Sequence, residues 1–206
     1  MKNENICYIV GAGELHSLPS PTEGDLVIAA DGGLDALASG GITPAVVVGD
    51  LDSLSGRVPE GVEILRHPVE KDETDSHLSY LEGAKRGYTR FSLYGCTGGR
   101  DDHTFANYSL LLYAKNRGHR MVLVGDRCEI FLIKNEDITL SGAPGAHLSV
   151  FAFCGTCEGV SITGAEYEAH DVTLTPEFPL GVSNAFGERE ARISVKSGAL
   201  LIMREV

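Results

Sequence analysis

Short apolar runs joined by helical segments occupy the chain as far as Gly125, and there the pattern changes. ICYIV at 6–10, LVIAA at 26–30, AVVVGD at 45–50, VEILR at 62–66, FSLYG at 91–95 and MVLVG at 121–125 read as strands. Between them, LDALAS at 34–39 forms a brief helix. The spacing of Leu78, Leu81 and Ala84 predicts an amphipathic helix over 73–86, which Thr74 or Asp75 would cap. A further helix is predicted over 102–116, with Phe105, Tyr108 and Leu112 on its broad apolar face. Apolar strands linked by helices indicate a mainly parallel sheet flanked by helices on both faces.

Beyond Gly125 the runs EIFLIKN, ITLSG, HLSVFAF, GVSITG, DVTLTP, ARISVKSG and ALLIMRE alternate partially and are separated by turn residues. No long helical pattern remains, so this part reads as an all-β antiparallel sandwich or barrel-like domain. The expected organisation is an α/β domain over 1–126 followed by a β-rich domain over 127–206.

The chemistry-bearing residues gather at the ends of the predicted strands. Asp31, Asp50, Asp52, Asp72, Asp75, Asp101 and Asp102 each follow a strand or open a helix, in AADGG, VVGDLDS, EKDETD and GCTGGRDDH. Strand ends of an open α/β sheet converge on one edge, so these distant residues can share a crevice. Carboxylates crowded together repel unless a cation sits among them, and hard oxygen ligands suit Mg²⁺ bridging to substrate phosphates. The pattern points to a phosphate-transfer enzyme.

Each motif also has a purely structural reading. Asp50 and Asp52 stand at i and i+2 after an apolar strand, which places both on one side of an extended chain. An Asp-rich turn capping a helix through Asp52 or Ser53 explains them equally well. Lys71-Asp72-Glu73-Thr74-Asp75 opens a helix, where acids are favoured by the dipole in any case. Gly95-Cys96-Thr97-Gly98-Gly99-Arg100 can present backbone N–H groups to phosphate oxygens, but it lacks the Gly-Lys-Ser/Thr ending of a Walker loop. Gly11-Ala12-Gly13 fails the dinucleotide fingerprint, because His16 stands at the third glycine position.

A formal charge of −12 argues against wholesale binding of nucleic acid or an anionic membrane, both of which need basic surface. It leaves room for a nucleotide, since Arg66, Lys71 and Arg100 lie in or beside the acidic motifs. The opening residues offer too short an apolar run for a signal peptide, and nothing approaches the ~20 apolar residues of a membrane span. Five cysteines in no disulfide pattern suggest reduced thiols and a cytoplasmic protein. Cys154 and Cys157 form the one close pair, in a turn between strands with no second pair to complete a zinc site.

In order, ADGG, GDLDS, KDETD and GGRDDH, followed by a β-rich tail carrying GVSNAF, closely resemble the thiamine pyrophosphokinase (thiamine diphosphokinase) family over nearly the whole chain. The resemblance implies an enzyme that transfers the diphosphoryl group of ATP to the hydroxyl of thiamine, giving thiamine diphosphate and AMP. It makes 1–126 the ATP-binding catalytic domain and 127–206 the thiamine-binding domain, working as a homodimer with a shared active site. By this match Asp50, Asp52 and Asp75 are the Mg²⁺ carboxylates, with Asp72 beside them. Asp102 matches the functional aspartate of Gly-Gly-Arg-x-Asp-His, while Asp101 is an extra acid at the variable position. Asp31, Gly32, Gly33, Lys71, Thr97, Gly98 and Gly99 fall on the ATP side, and Arg100 with Lys71 would offset phosphate charge. His103, Ser183, Asn184 and Phe186 fall on the thiamine side. Leu51 replaces a frequent phenylalanine, and with no tryptophan in the chain the aromatic cover over thiamine must come from Phe, Tyr or His. Asp72 and Asp102 remain alternative groups for the hydroxyl proton.

Other readings compete. A related pyrophosphokinase could act on another hydroxymethyl heterocycle such as a pterin. A thiamine-binding protein without catalysis is a second, and a metal-dependent phosphohydrolase a third. Acceptor panels and AMP release separate them.

Overall fold

A computed structural model describes residues 5–50, 57–67, 72–188 and 190–206. The chain divides into two units, Met1–Asp126 and Arg127–Val206.

In the first unit, β1 (Ile6–Val10), β2 (Leu26–Ala30), β3 (Val46–Gly49), β4 (Glu63–Arg66), β5 (Arg90–Tyr94) and β6 (Arg120–Val124) are all parallel. They lie in the order β6-β5-β1-β2-β3-β4. β2 and β3 are buried at every position, as continuous apolar runs require when both faces are covered. β4 flanks Ile64 and Leu65 with Glu63 and Arg66 and closes the edge, where charge discourages further pairing. The helices are α1 (Gly33–Ser39), α2 (Asp75–Lys85) and α3 (Asp101–Lys115). On one face Leu34 and Leu37 of α1 pack with Tyr8, Val10, Val27, Ala29 and Val47.

The apolar faces of the two longer helices differ from expectation. On α2 the buried residues are Ser79, Tyr80 and Gly83, while Leu78, Leu81 and Ala84 are only half-buried. Gly83 decides this: a Cβ there would stand 2.7 Å from Cys7 Sγ and 2.9 Å from the Phe91 ring, so its absence lets the helix seat closely on the sheet. Tyr80 can then enter the core, edge-on to Phe91 at 4.8 Å, because its hydroxyl shares a hydrogen bond with His119 Nδ1 at 2.9 Å. On α3 the buried residues are Asn107, Leu110, Leu111 and Ala114, and Phe105 is 66% exposed. Asn107 takes a place beside Leu110, Leu111 and Ala114 on the buried face, where its amide donates to Cys96 O at 2.8 Å.

The second unit contains strands alone among its described residues. They are β7 (Cys128–Lys134), β8 (Asp137–Leu140), β9 (His147–Ala152), β10 (Cys157–Thr163), β11 (Ala169–Leu174), β12 (Asn184–Ala185), β13 (Ala191–Ser194) and β14 (Ala199–Glu205). Here β12, β9, β14 and β7 lie side by side, and β11, β10, β13 and β8 form a separate sheet, with every pair antiparallel. β9 buries Leu148, Val150 and Ala152 in strict alternation, the signature of a sheet with one covered face. The two-domain α/β plus all-β architecture agrees with the sequence. The short strand β12 was not among the predicted runs: Asn184 and Ala185 pair with Leu148 and His147. Among the described residues no helix is long and apolar enough to cross a membrane.

Candidate active site

From β1 the chain runs outward through β2, β3 and β4, then returns to the other side of β1 as β5 and β6. The order therefore reverses between β1 and β5. Connections leaving those two strands diverge, and a crevice opens outside their carboxyl ends. Its wall is built by two glycine segments held together through the backbone. Gly11 N–H donates to Tyr94 O at 2.8 Å, Gly13 N–H to Gly95 O at 2.7 Å and Glu14 N–H to Thr97 O at 3.1 Å. A Cβ on Gly11 would lie 2.7 Å from Gly95 O, and one on Gly95 would lie 2.6 Å from Gly11 O. Gly95 is also left-handed at φ 59. Only glycine fits at either position.

The resulting cleft holds about 320 Å³. Asp31, Thr74, Asp75, Ser76, Arg100 and His103 are among the residues that line it, together with Gly98 and Gly99. Asp31 is held in the left-handed region at φ 49, with its N–H on Val48 O at 2.8 Å and its carbonyl accepting from Leu34 N–H at 3.2 Å. Gly32 is the N-cap of α1 and Gly33 its buried first residue. Thr74 caps α2 by accepting from His77 N–H at 3.2 Å, which leaves Asp75 as the first residue of the helix. Gly98 and Gly99 are consecutive left-handed residues, φ 72 and 69, just ahead of α3. At the floor, the Cys96 thiol is pushed up to about 11 by burial, so it is no thiolate nucleophile near neutral pH.

Other expected residues lie elsewhere. Asp50 follows the end of β3 and is half-buried, outside the cleft lining. Asp72 borders a neighbouring groove of about 330 Å³ with His77, Leu110 and Tyr113. Thr97 joins the wall through its carbonyl. Asp52 and Lys71 fall outside the described residues. Among the described residues no three Asp, Glu, His or Cys side chains gather into a metal site. Asp101 is exposed at the start of α3, and Asp102 beside it grips Arg100 through Nε at 3.1 Å and NH2 at 2.6 Å.

In the second unit, Asn184 is buried and its side chain is engaged with backbone. It accepts from Tyr167 N–H at 3.0 Å and Ala185 N–H at 2.9 Å, and donates to Tyr167 O at 2.8 Å. Phe186 is 2% exposed, with its ring against Gly142. Of this segment's expected contacts only Ser183 is exposed, in a left-handed conformation at φ 57 with its N–H on Ser149 Oγ at 3.1 Å.

Residues the sequence reading passed over also line the cleft: Gly11, Ala12, Gly13, Ser76 and Asn107. The glycines had been tested only against the dinucleotide fingerprint. Asn107 carried a usable signal, as a polar residue beside the apolar positions of a helix.

The sequence profile of the thiamin pyrophosphokinase catalytic domain matches residues 21–123, and that of the thiamin pyrophosphokinase vitamin B1 binding domain matches 129–200. The chain belongs to the thiamin pyrophosphokinase family. Thiamine pyrophosphokinase of Bacillus subtilis (strain 168) is 25% identical over 206 residues, spanning 95% of this chain and 96% of its own. In fold, the chain is similar to the crystal structure of the B. subtilis thiamine pyrophosphokinase with a TM-score of 0.90 at 22% identity, covering 98% and 99% of the two chains. It is also similar to yeast thiamin pyrophosphokinase, at 0.79 and 17%, covering 100% and 88%. As a thiamin pyrophosphokinase the protein is an enzyme, a transferase of thiamine diphosphate formation, as the ordered motifs implied.

Proposed function

We propose that the protein transfers the diphosphoryl group of Mg-ATP to the hydroxyl of thiamine, releasing AMP. One observation carries this reading: acidic, basic and glycine-backbone groups meet in a single cleft at the reversal of strand order. Asp31 and Asp75 line it with Arg100 and the Gly98-Gly99 turn. Consecutive left-handed glycines ahead of a helix form the kind of backbone concavity that takes phosphate oxygens.

Carboxylate oxygen is the donor type that suits a hard cation, and among the described residues Asp31 and Asp75 offer it in the cleft and Asp50 outside the lining. Asp50 and Asp75, with Asp52, would hold Mg²⁺. Bound there, the ion would supply charge neutralisation to the phosphates. Arg100 binds phosphate oxygens from the opposite charge class, and Lys71 adds to it. The thiamine hydroxyl attacks the β-phosphorus in line, so the cleft acts mainly by positioning. Asp72 and Asp102 are the two candidate groups for taking or orienting the hydroxyl proton. Ser183 and His103 serve the thiamine side. The working unit is a cytoplasmic homodimer with a shared active site, which light scattering on the purified chain tests for its stoichiometry.

Mass spectrometry of products, with Mg-ATP present and thiamine present or absent, tests the reaction. Thiamine diphosphate with equal AMP, dependent on thiamine, is expected. Thiamine monophosphate with ADP would refute attack at the β-phosphorus. Folded protein without turnover would transfer the assignment to a pterin-like acceptor or to a binding role.

A further inference from the structure

We propose that Asp102 is a positioning residue that aims Arg100 into the cleft, and that it is not the group that takes the hydroxyl proton; the inference rests on the reaction proposed above. The carboxylate is committed on both oxygens. Oδ1 accepts from Arg100 Nε–H at 3.1 Å and from the backbone N–H of His103 at 3.0 Å, while Oδ2 accepts from Arg100 NH2 at 2.6 Å. This is a side-on bidentate clamp, the geometry that fixes a guanidinium most firmly.

The neighbours of Asp102 show what the clamp serves. Arg100 and His103 both line the cleft, and Asp102 between them does not. Arg100 occupies the N-cap position of α3 in extended conformation and makes no side-chain cap of its own. Asp102 supplies what that position lacks, since its carboxylate satisfies a backbone donor in the first turn of α3 and also stands at the positive end of the helix dipole. Helix α3 thus anchors the carboxylate, and the carboxylate anchors the guanidinium. Of the five N–H donors of Arg100 two are spent on Asp102, which leaves the NH1 side and one NH2 proton for a phosphate.

Two further points favour this role over that of a base. The Arg100 side chain holds the Asp102 carboxyl below the usual carboxylate range, which weakens it as a proton acceptor. The pair is also open to water, with Arg100 72% and Asp102 65% exposed. Exposed pairs contribute little to folding, so losing this one should leave the protein folded and act chiefly on where Arg100 points.

The test compares wild type, Asp102→Asn, Arg100→Ala and the double variant, all checked for folding by circular dichroism. It measures kcat and KM for Mg-ATP across pH, and affinity for α,β-methylene-ATP by calorimetry. Loss of a charge-assisted clamp is expected to weaken analogue affinity and raise KM on the order of ten-fold, with kcat changed less. The acidic limb of the kcat profile should remain. Adding Asp102→Asn to Arg100→Ala should cost nothing further, because a residue acting through Arg100 has no effect without it. Normal analogue affinity with a kcat loss of ~10²-fold or more and a vanished acidic limb would make Asp102 the base and overturn the proposal. An equal penalty from Asp102→Asn with and without Arg100 would also overturn it. Wild type that releases no AMP would instead sink the reaction, while the binding data would still decide whether Asp102 acts through Arg100.

Discussion

The buried side-chain amide of Asn107 donates to the carbonyl of Cys96 at 2.8 Å, tying helix α3 to the loop that follows β5. One hydrogen bond therefore links the helix that carries Arg100 to the glycine segment it works beside. Asn107→Leu would leave the Cys96 carbonyl buried and without this donor. The expected cost is ~1–3 kcal/mol, read from the urea midpoint, together with weaker nucleotide-analogue binding. Unchanged stability would mean that another donor reaches Cys96.

Gly11→Ala places a methyl against Gly95 O, between the two glycine segments. Overpacking of this kind is expected to lower stability by ~1–3 kcal/mol and to part the two glycine segments, so analogue affinity should fall with it. Calorimetric titration and chemical denaturation of the same sample check both.

Thr74→Ala removes the cap of α2, with an expected loss of about 1 kcal/mol. Thr74→Ser should recover most of it, because the capping oxygen is kept. A thermal melt in which both variants match wild type would show that the hydrogen bond to His77 N–H contributes nothing.

Asp75→Asn separates chemistry from folding. Thr74 already caps the helix, and the place of Asp75 near the dipole is worth less than about 1 kcal/mol. Thiamine-dependent AMP release is nevertheless expected to fall at least ~100-fold. EDTA should stop wild-type turnover and added Mg²⁺ restore it. Near-normal turnover in Asp75→Asn would remove this carboxylate from the catalytic set.

Asp25 sets an acid-sensitive contribution to stability. Burial alone would raise its carboxyl, but hydrogen bonds from Ile6 N–H, Thr22 N–H and Thr22 Oγ outweigh that and hold it below the usual range. A depressed folded value stabilises the protein above the unfolded carboxylate pKa and is lost as pH falls through the folded one. Asp25→Ala should therefore be less stable than wild type at pH 7, and the gap should narrow on acidification. Denaturation midpoints at neutral and acidic pH give the comparison; a gap that does not change with pH would exclude this carboxylate as the source.

Much of the frame was legible because local chemistry agreed with the fold. The runs through Val27 and Val47 could only be buried strands, and the loss of helical periodicity after Gly125 foretold the all-β unit. The helix faces were misread because hydrophobicity was the only guide. Tyr80 is admitted to the core by His119, 39 residues away, and Asn107 by the carbonyl of Cys96, which lies outside its own helix. The wall of the cleft was hidden for a similar reason: Gly11 is constrained by Gly95, and nothing near Gly11 in sequence records it. Asn184, expected on the thiamine side by resemblance, has its amide hydrogen-bonded to the Tyr167 backbone, a contact that no local sequence pattern announces. Asp31 and Asp75 line the cleft from strand and helix ends, positions that a sequence pattern marks without knowledge of partners.

In the second unit β14 lies between β7 and β9, although it follows both of them in the chain. During synthesis the first unit holds all of its strands and helices while β7 and β9 still lack the partner that joins them. Translation thus imposes a schedule: the α/β unit can mature on the ribosome, but the β unit waits for its central strand to emerge. Nascent chains halted before Ala199 should accordingly lose Arg127 onward to protease and keep the rest.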